Sequence, residues 1–192
     1  MNGPVTVLGI DPGLTVTGYG LVLAEGKHYT SIHFGVVAPP TAAPIAERLL
    51  RIHEAIADVI REHRPDEVAV EDFIVGHVRA AVAVGEARAA AVLAAAQAGL
   101  PVSFYKPNEV KQSVTSYGHG SKEQVALMVQ ALLGLREPPT PPDAADALAV
   151  ALCHCLKRGS PIAQESHAPN PLALTPARRG GNRRARLNAS GG

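Results

Sequence analysis

The chain has 192 residues, 46% of them hydrophobic, which suffices for one domain with a real core. Its two cysteines, Cys153 and Cys155, exclude a disulfide framework and fit a reducing compartment, and no apolar stretch has membrane-spanning length. The net charge of +1 is uneven: from Gly159 onward five arginines stand against Glu165, so that segment carries +4 and residues 1–158 carry −3, which argues against a nonspecific DNA-coating protein. Met1 to Gly9 lacks the basic start and long apolar run of a secretory signal, and the expected location is the cytoplasm.

Val5 to Ile10 is a short apolar run ending in Asp11-Pro12-Gly13, a buried strand and a turn. Val16 to Ala24 and His28 to Val37 are rich in β-formers, and Gly26 between them predicts a hairpin. After Pro39-Pro40, Ile45, Leu49, Ile52, Ile56, Val59 and Ile60 recur at helical spacing through His63, and Pro65 ends that helix. Glu67 to Glu71 is a fourth strand. An alanine-rich helix from about Val78 to Ala98 is stopped by Gly99, and Pro101 to Tyr105 is a fifth strand. Shorter helices are expected at about Asn108 to Ser116 and Lys122 to Leu133. Pro138 to Pro142 then leads to a last helix, Asp143 to about Lys157. Residues 159–192 are rich in Gly, Pro, Ala, Asn and Arg without periodicity, and read as a disordered basic tail after a single domain, 1–158. The order of elements predicts an α/β fold: a five-stranded mixed sheet with helices on both faces.

Four acids fall where such a fold brings side chains together. Asp11 ends the first strand and Glu71 the fourth, while Asp143 and Asp146 open the last helix on one face of it. Hard divalent cations such as Mg²⁺ take carboxylate oxygens, and two of them can flank a phosphate during hydrolysis. Each acid also has a plain structural reading: Asp11 as a turn residue, Asp143 as a helix N-terminal acid, Asp146 as a solvated first-turn residue. Glu71 fits such a reading least, because it closes the apolar run Val68-Ala69-Val70, where an unpaired charge is costly. Asp72 is expected to face the opposite side of the sheet.

The set as a whole resembles a known family. Leu8-Gly9-Ile10-Asp11-Pro12-Gly13 with Thr17-Gly18-Tyr19-Gly20, then Ala69-Val70-Glu71, Gly85-Glu86-Ala87-Arg88, Val110-Lys111-Gln112 and Asp143-Ala144-Ala145-Asp146-Ala147-Leu148-Ala149 resemble the RuvC family of Holliday-junction resolvases in order and separation. The resemblance spans roughly Val5 to Leu156. It implies a ribonuclease-H-like fold and a homodimer that nicks a four-way DNA junction symmetrically. It also implies a branch-migration motor partner, the RuvA-RuvB complex, and two Mg²⁺ ions per site with Mn²⁺ as a substitute. By motif match it makes Asp11, Glu71, Asp143 and Asp146 the metal-binding catalytic acids and puts Lys111 and Lys122 near the scissile phosphate. The segment after Glu71 departs from the family pattern: it looks about two residues short, and Phe73 is its one aromatic, displaced by one position. Phe73 either stacks in the junction or packs in the core.

Other residues suit DNA contacts. Ser121 and Gln124 form a capping-box pattern, and the free N–H groups of that helix start, beside Lys122, suit a phosphate. The alternative is a routine cap and a solvated lysine. Lys111 lies near Lys106 in another helix start, and His119 sits between glycines near the same loop. Arg79 and Arg88 are offset by about 180° on their helix, so at most one points at DNA. Cys153 and Cys155 diverge at i, i+2 and read as core cysteines, not metal ligands. The small-residue helix Ala80 to Ala98 is the sequence feature that suits a dimer interface, with ordinary core packing as its alternative. Competing readings are a sugar-kinase or actin-like ATPase, from Asp11-Pro12-Gly13-Leu14-Thr15; another ribonuclease-H-like nuclease, such as ribonuclease H, an integrase or a transposase core; and a noncatalytic DNA-binding scaffold.

Overall fold

The computed structural model describes residues 3–72, 78–115 and 120–158, with residues 78–80 described by backbone alone. Phe73, His119, the Arg79 side chain and the segment 159–192 therefore lie outside the described residues. Within them the chain forms β1 (Val5–Asp11), β2 (Thr17–Glu25), β3 (His28–Val37), α1 (Ile45–His63), β4 (Glu67–Glu71), α2 (Val78–Gln97), β5 (Val102–Tyr105), α3 (Pro107–Thr115), α4 (Lys122–Leu133) and α5 (Pro142–Arg158). Every predicted element is present, with ends shifted by a residue or so. Two of the shifts have one cause. Helices α3 and α5 begin on Pro107 and Pro142, because a proline at the first helical position gives up an N–H that would be unpaired anyway.

The five strands make one mixed sheet in the order β3-β2-β1-β4-β5. β1 pairs antiparallel with β2 and β2 with β3, while β1, β4 and β5 run parallel. Alternation along the strands divides the core in two. Leu8, Ile10, Leu21, Val68 and Val70 point to one face, where α1 and α2 cover them through Ile52, Ile56, Ala87 and Ala91. Val7, Val22 and Ala69 point to the other face, onto α5 with α3 and α4 beside it. Burying a Val, Leu or Ile side chain contributes about 1.5–3 kcal/mol, so each face is a substantial hydrophobic core.

α5 is the central helix of the second layer. It is buried without a break from Ala144 to Cys155 except at Asp146. Small residues let it lie close to the sheet. A Cβ on Gly9 would meet the Ala151 nitrogen at 2.6 Å, and one on Gly20 would meet the Leu148 side chain at 2.7 Å. Gly9 and Gly20 are register partners on adjacent strands, so the helix crosses a shallow glycine trough.

Helix ends follow local chemistry. α1 closes on Arg64 in the left-handed region (φ 48°), with its N–H donating to the Ile60 carbonyl at 2.9 Å. Pro65 next in line disfavours continued helix at that residue. α4 opens with the predicted capping box: the Gln124 N–H donates to Ser121 Oγ at 3.3 Å, and the Ser121 N–H donates to Gln124 Oε1 at 2.9 Å.

Candidate active site

Strand pairing brings the first two acids together. β1 and β4 run parallel with Ile10 opposite Val70, so Asp11 and Glu71 stand side by side at the carboxyl edge of the sheet. Both share the parity of Val7 and Ala69, which sets them on the α5 face. Asp72 takes the opposite face, as alternation predicts, and pairs there with Arg88. The Arg88 guanidinium also lies over the Phe104 ring, 5.5 Å from its centroid.

The helix brings the other two. Gly18 is the register partner of Asp11, and a Cβ on Gly18 would collide with the Asp143 carbonyl. The amino end of α5 thus rests on the strand position opposite Asp11. Asp143 and Asp146, one turn apart, overhang the sheet edge. Lys122, the first residue of α4, reaches in from the side, and its Nζ donates to Asp146 Oδ2 at 3.0 Å.

The electrostatics match this crowding. Burial, then the charges of Asp146 and Asp143, push the Asp11 carboxyl up to about 6. Burial, then Asp11 and Asp146, push Glu71 up to about 8, and Asp11 and Glu71 share a hydrogen bond. That bond needs one proton between the two carboxyl groups. The Lys122 charge works the other way, lowering both acids, while its own affinity for a proton is raised by the bond to Asp146. In this arrangement the excess negative charge is met by one shared proton and one ammonium.

The turn after Asp11 is clamped by residues that sequence reasoning did not assign. Thr17 Oγ1 donates to the Gly13 carbonyl at 2.7 Å and accepts from the Gly13 N–H at 3.3 Å. Arg48 of α1 donates through Nη2 to the Leu14 carbonyl at 2.8 Å. Thr17 and Gly18 were visible as part of a motif; Arg48 carries no local signal, because its partner is 34 residues away.

The other predicted residues that are described make other contacts or none with the acids. Lys111, half-buried on α3, forms no ion pair with the four acids among the described residues. The Lys106 side chain is exposed just before α3, where its backbone N–H donates to Glu109 at 2.9 Å. Ser121 is engaged in its cap. Cys153 and Cys155 are both buried and free, as core cysteines.

The donor set is four carboxylates, the chemistry a hard divalent cation takes. As the side chains stand, no three acids, histidines or cysteines among the described residues close around one point. The fit rests on donor type and on accumulated charge: two neighbouring carboxyls whose proton affinity is raised by burial and then by other acids are a place where a cation is stabilising.

Comparison with known proteins agrees with this geometry. The family model for crossover junction endodeoxyribonuclease RuvC matches residues 7–154, which takes in all four acids and both lysines. The chain belongs to the RuvC family. A relative of that name from Maricaulis maris is 48% identical over 155 residues, 80% of this chain and 92% of its own length. The Thermus thermophilus RuvC structure superposes with a TM-score of 0.74 at 44% identity, covering 80% of this chain and 95% of that one. The same protein in complex with Holliday junction substrate gives 0.77 at 42%, covering 81% and 95%. The architecture is accordingly ribonuclease-H-like, and the chain is a nuclease of the hydrolase class. Family membership decides against the ATPase, ribonuclease H, integrase and scaffold readings.

Proposed function

We propose that this chain resolves four-way DNA junctions by metal-assisted hydrolysis at the Asp11, Glu71, Asp143 and Asp146 cluster. The observation that carries the reading is the convergence of these acids from three elements onto one sheet edge, with Lys122 beside them. Asp11, Glu71, Asp143 and Asp146 would hold the divalent cations, two Mg²⁺ with Mn²⁺ as substitute. Such ions supply water activation and stabilisation of the leaving oxygen. The net reaction adds water across one phosphodiester: an O–P bond forms, the opposite P–O bond breaks, and the released sugar oxygen takes up a proton.

The protein's own residues set the stage for that step. Glu71 and Asp11 must give up their shared proton to act as ligands. The Lys122 ammonium neutralises charge building on the phosphate during attack, a role worth about ten- to a thousandfold in rate. Lys111 has the same role by its match to the motif, and Lys106 contributes phosphate affinity. Phe73, Arg79, His119 and Ser121 remain DNA-contact assignments that rest on the sequence. A homodimer would deliver two symmetric nicks, and a branch-migration motor of the RuvA-RuvB type would present the junction. The basic segment 159–192 would add nonspecific affinity for DNA, in the cytoplasm where that substrate lies.

The test is single-turnover cutting of a four-way junction, a linear duplex and an RNA–DNA hybrid of matched sequence, each with Mg²⁺ and with chelator. Cutting confined to the junction and dependent on the cation is the expected result. Equal cutting of the duplex, or cutting in chelator, would sink the reading.

A further inference from the structure

We propose that Lys122 is a built-in counter-ion that competes with the divalent cation for Asp146, so that cation binding turns the lysine outward to the DNA phosphate. This rests on the metal-assisted reading above and adds an order of events within the site. The ion pair is the starting observation: Lys122 Nζ sits 3.0 Å from Asp146 Oδ2. Among the described residues it is the one basic side chain bonded to any of the four acids. Its charge also reaches Asp11, Asp143 and Glu71.

The two partners differ in freedom. The Asp146 side chain is 22% exposed, held on a helix whose other residues from Ala144 to Cys155 are buried. The Lys122 side chain is 73% exposed. Its backbone is fixed by the Ser121 capping box at the first residue of α4, while its four-carbon stem is free to swing into solvent. A cation taking the Asp146 oxygens puts two positive charges next to the ammonium, and the mobile partner is the one that leaves. The direction open to it is outward from the acids, where a phosphate of bound DNA would lie. The same lysine thus shields the acids from one another before the cation arrives and meets the substrate afterwards.

The prediction has opposite signs in two measurements. Mn²⁺ is titrated into the full-length protein without DNA, by calorimetry and by the paramagnetic signal of free Mn²⁺, for wild type, Lys122→Met, Lys122→Arg and Asp146→Asn. Lys122→Met keeps the stem and removes the charge. It should bind Mn²⁺ about two- to fivefold more tightly, the scale of losing one exposed ion pair, while its single-turnover cutting falls. Lys122→Arg keeps a cation and should bind Mn²⁺ like wild type. Unchanged or weaker Mn²⁺ binding in Lys122→Met, with a wild-type melting temperature, overturns the competition and leaves the metal reading intact. If Lys122→Met melts early, Lys122→Gln is read in its place by the same criterion. If Asp146→Asn binds Mn²⁺ as tightly as wild type, Asp146 is not a ligand, and the metal assignment falls together with the competition.

Discussion

Strand β4 carries an acid at each end, and the two have opposite fates. Glu67 and Glu71 lie on the same strand and, four residues apart, on the same face beneath α5. Glu67 is matched on both oxygens: Arg158 donates to Oε1 at 2.6 Å, and His154 Nε2 lies 2.5 Å from Oε2. His154 is buried, and its Nδ1 is 2.8 Å from the Tyr105 hydroxyl. The tautomer that satisfies all of these has Nε2–H donating to Glu67 and the Tyr105 hydroxyl donating to Nδ1. Glu71 instead is driven up to about 8 by burial and then by Asp11 and Asp146. Buried acid is common to both ends; what separates them is whether the surroundings supply compensating charge. A matched acid holds structure together, and a mismatched one marks a place built for a cation and a reaction.

The largest expected contrast comes from exchanging carboxylate for amide at each end. Asp11→Asn, Glu71→Gln, Asp143→Asn and Asp146→Asn should each slow single-turnover junction cutting by at least about a hundredfold while junction binding persists. Glu67→Gln should leave the rate within a few-fold and lower unfolding free energy by about 1–3 kcal/mol, the scale of leaving a buried partner unmet. Two or more of the first four cutting at wild-type rate would break the comparison.

Gly18→Ala sharpens it by moving the helix and leaving every acid in place. The added Cβ collides with the Asp143 carbonyl, so the amino end of α5 must lift from β2. The expected result is a loss of cutting greater than about tenfold, from displaced ligands, with a stability cost of about 1–3 kcal/mol. Full activity in a folded Gly18→Ala protein would mean that the placement of α5 does not set the site.

A titration separates the two ends more gently. In Glu71 and Asp11 the folded protein holds protons that the unfolded chain would release near pH 4, since both are raised, to about 8 and about 6. Between about pH 4.5 and 8 the native state binds more protons, so its stability falls as pH rises through that window. With chelator present, the melting temperature should drop from pH 5 to pH 8, and Glu71→Gln should flatten the drop. A drop of equal size in Glu71→Gln would assign the effect elsewhere. Cutting should rise over the same window, because ligation requires the deprotonated carboxylates.

The smallest effect is expected from the tail. Truncation after Arg158 should leave melting temperature and cutting rate unchanged. It should reduce the salt slope of nonspecific DNA binding by up to about 4, because five arginines leave with it. An unchanged slope would mean the tail makes no phosphate contacts.

The difference between the two ends also explains what could be read from the sequence. The four acids proposed for the site stand at the ends of elements, and element ends are legible: Val68-Ala69-Val70 is an apolar run, so β4 and its terminal Glu71 follow from period and burial. Alternation alone predicted that Asp72 turns away, and it does. Ser121 and Gln124 announced their cap by spacing. The matched end was not legible. Its partners are separated by 49, 87 and 91 residues, and nothing local in Cys153-His154-Cys155 says which strand that turn of helix crosses. The Arg48 clamp on Leu14 is hidden for the same reason. Glycines at Gly9, Gly18 and Gly20 were seen as motif letters, but their purpose is a close approach that only the crossing helix reveals.

That crossing also governs when during its synthesis the chain becomes an enzyme. Asp11 leaves the ribosome early, and Glu71 follows with β4, yet Asp143 and Asp146 belong to the last helix. Translation runs from the amino end, so a nascent chain lacks half its carboxylates until nearly the whole domain has been made. The glycine trough can receive α5 only once that last helix has been made. Partial products of translation or proteolysis that lack this helix lack two of the four acids of the proposed site, so on that reading they are expected to be unarmed.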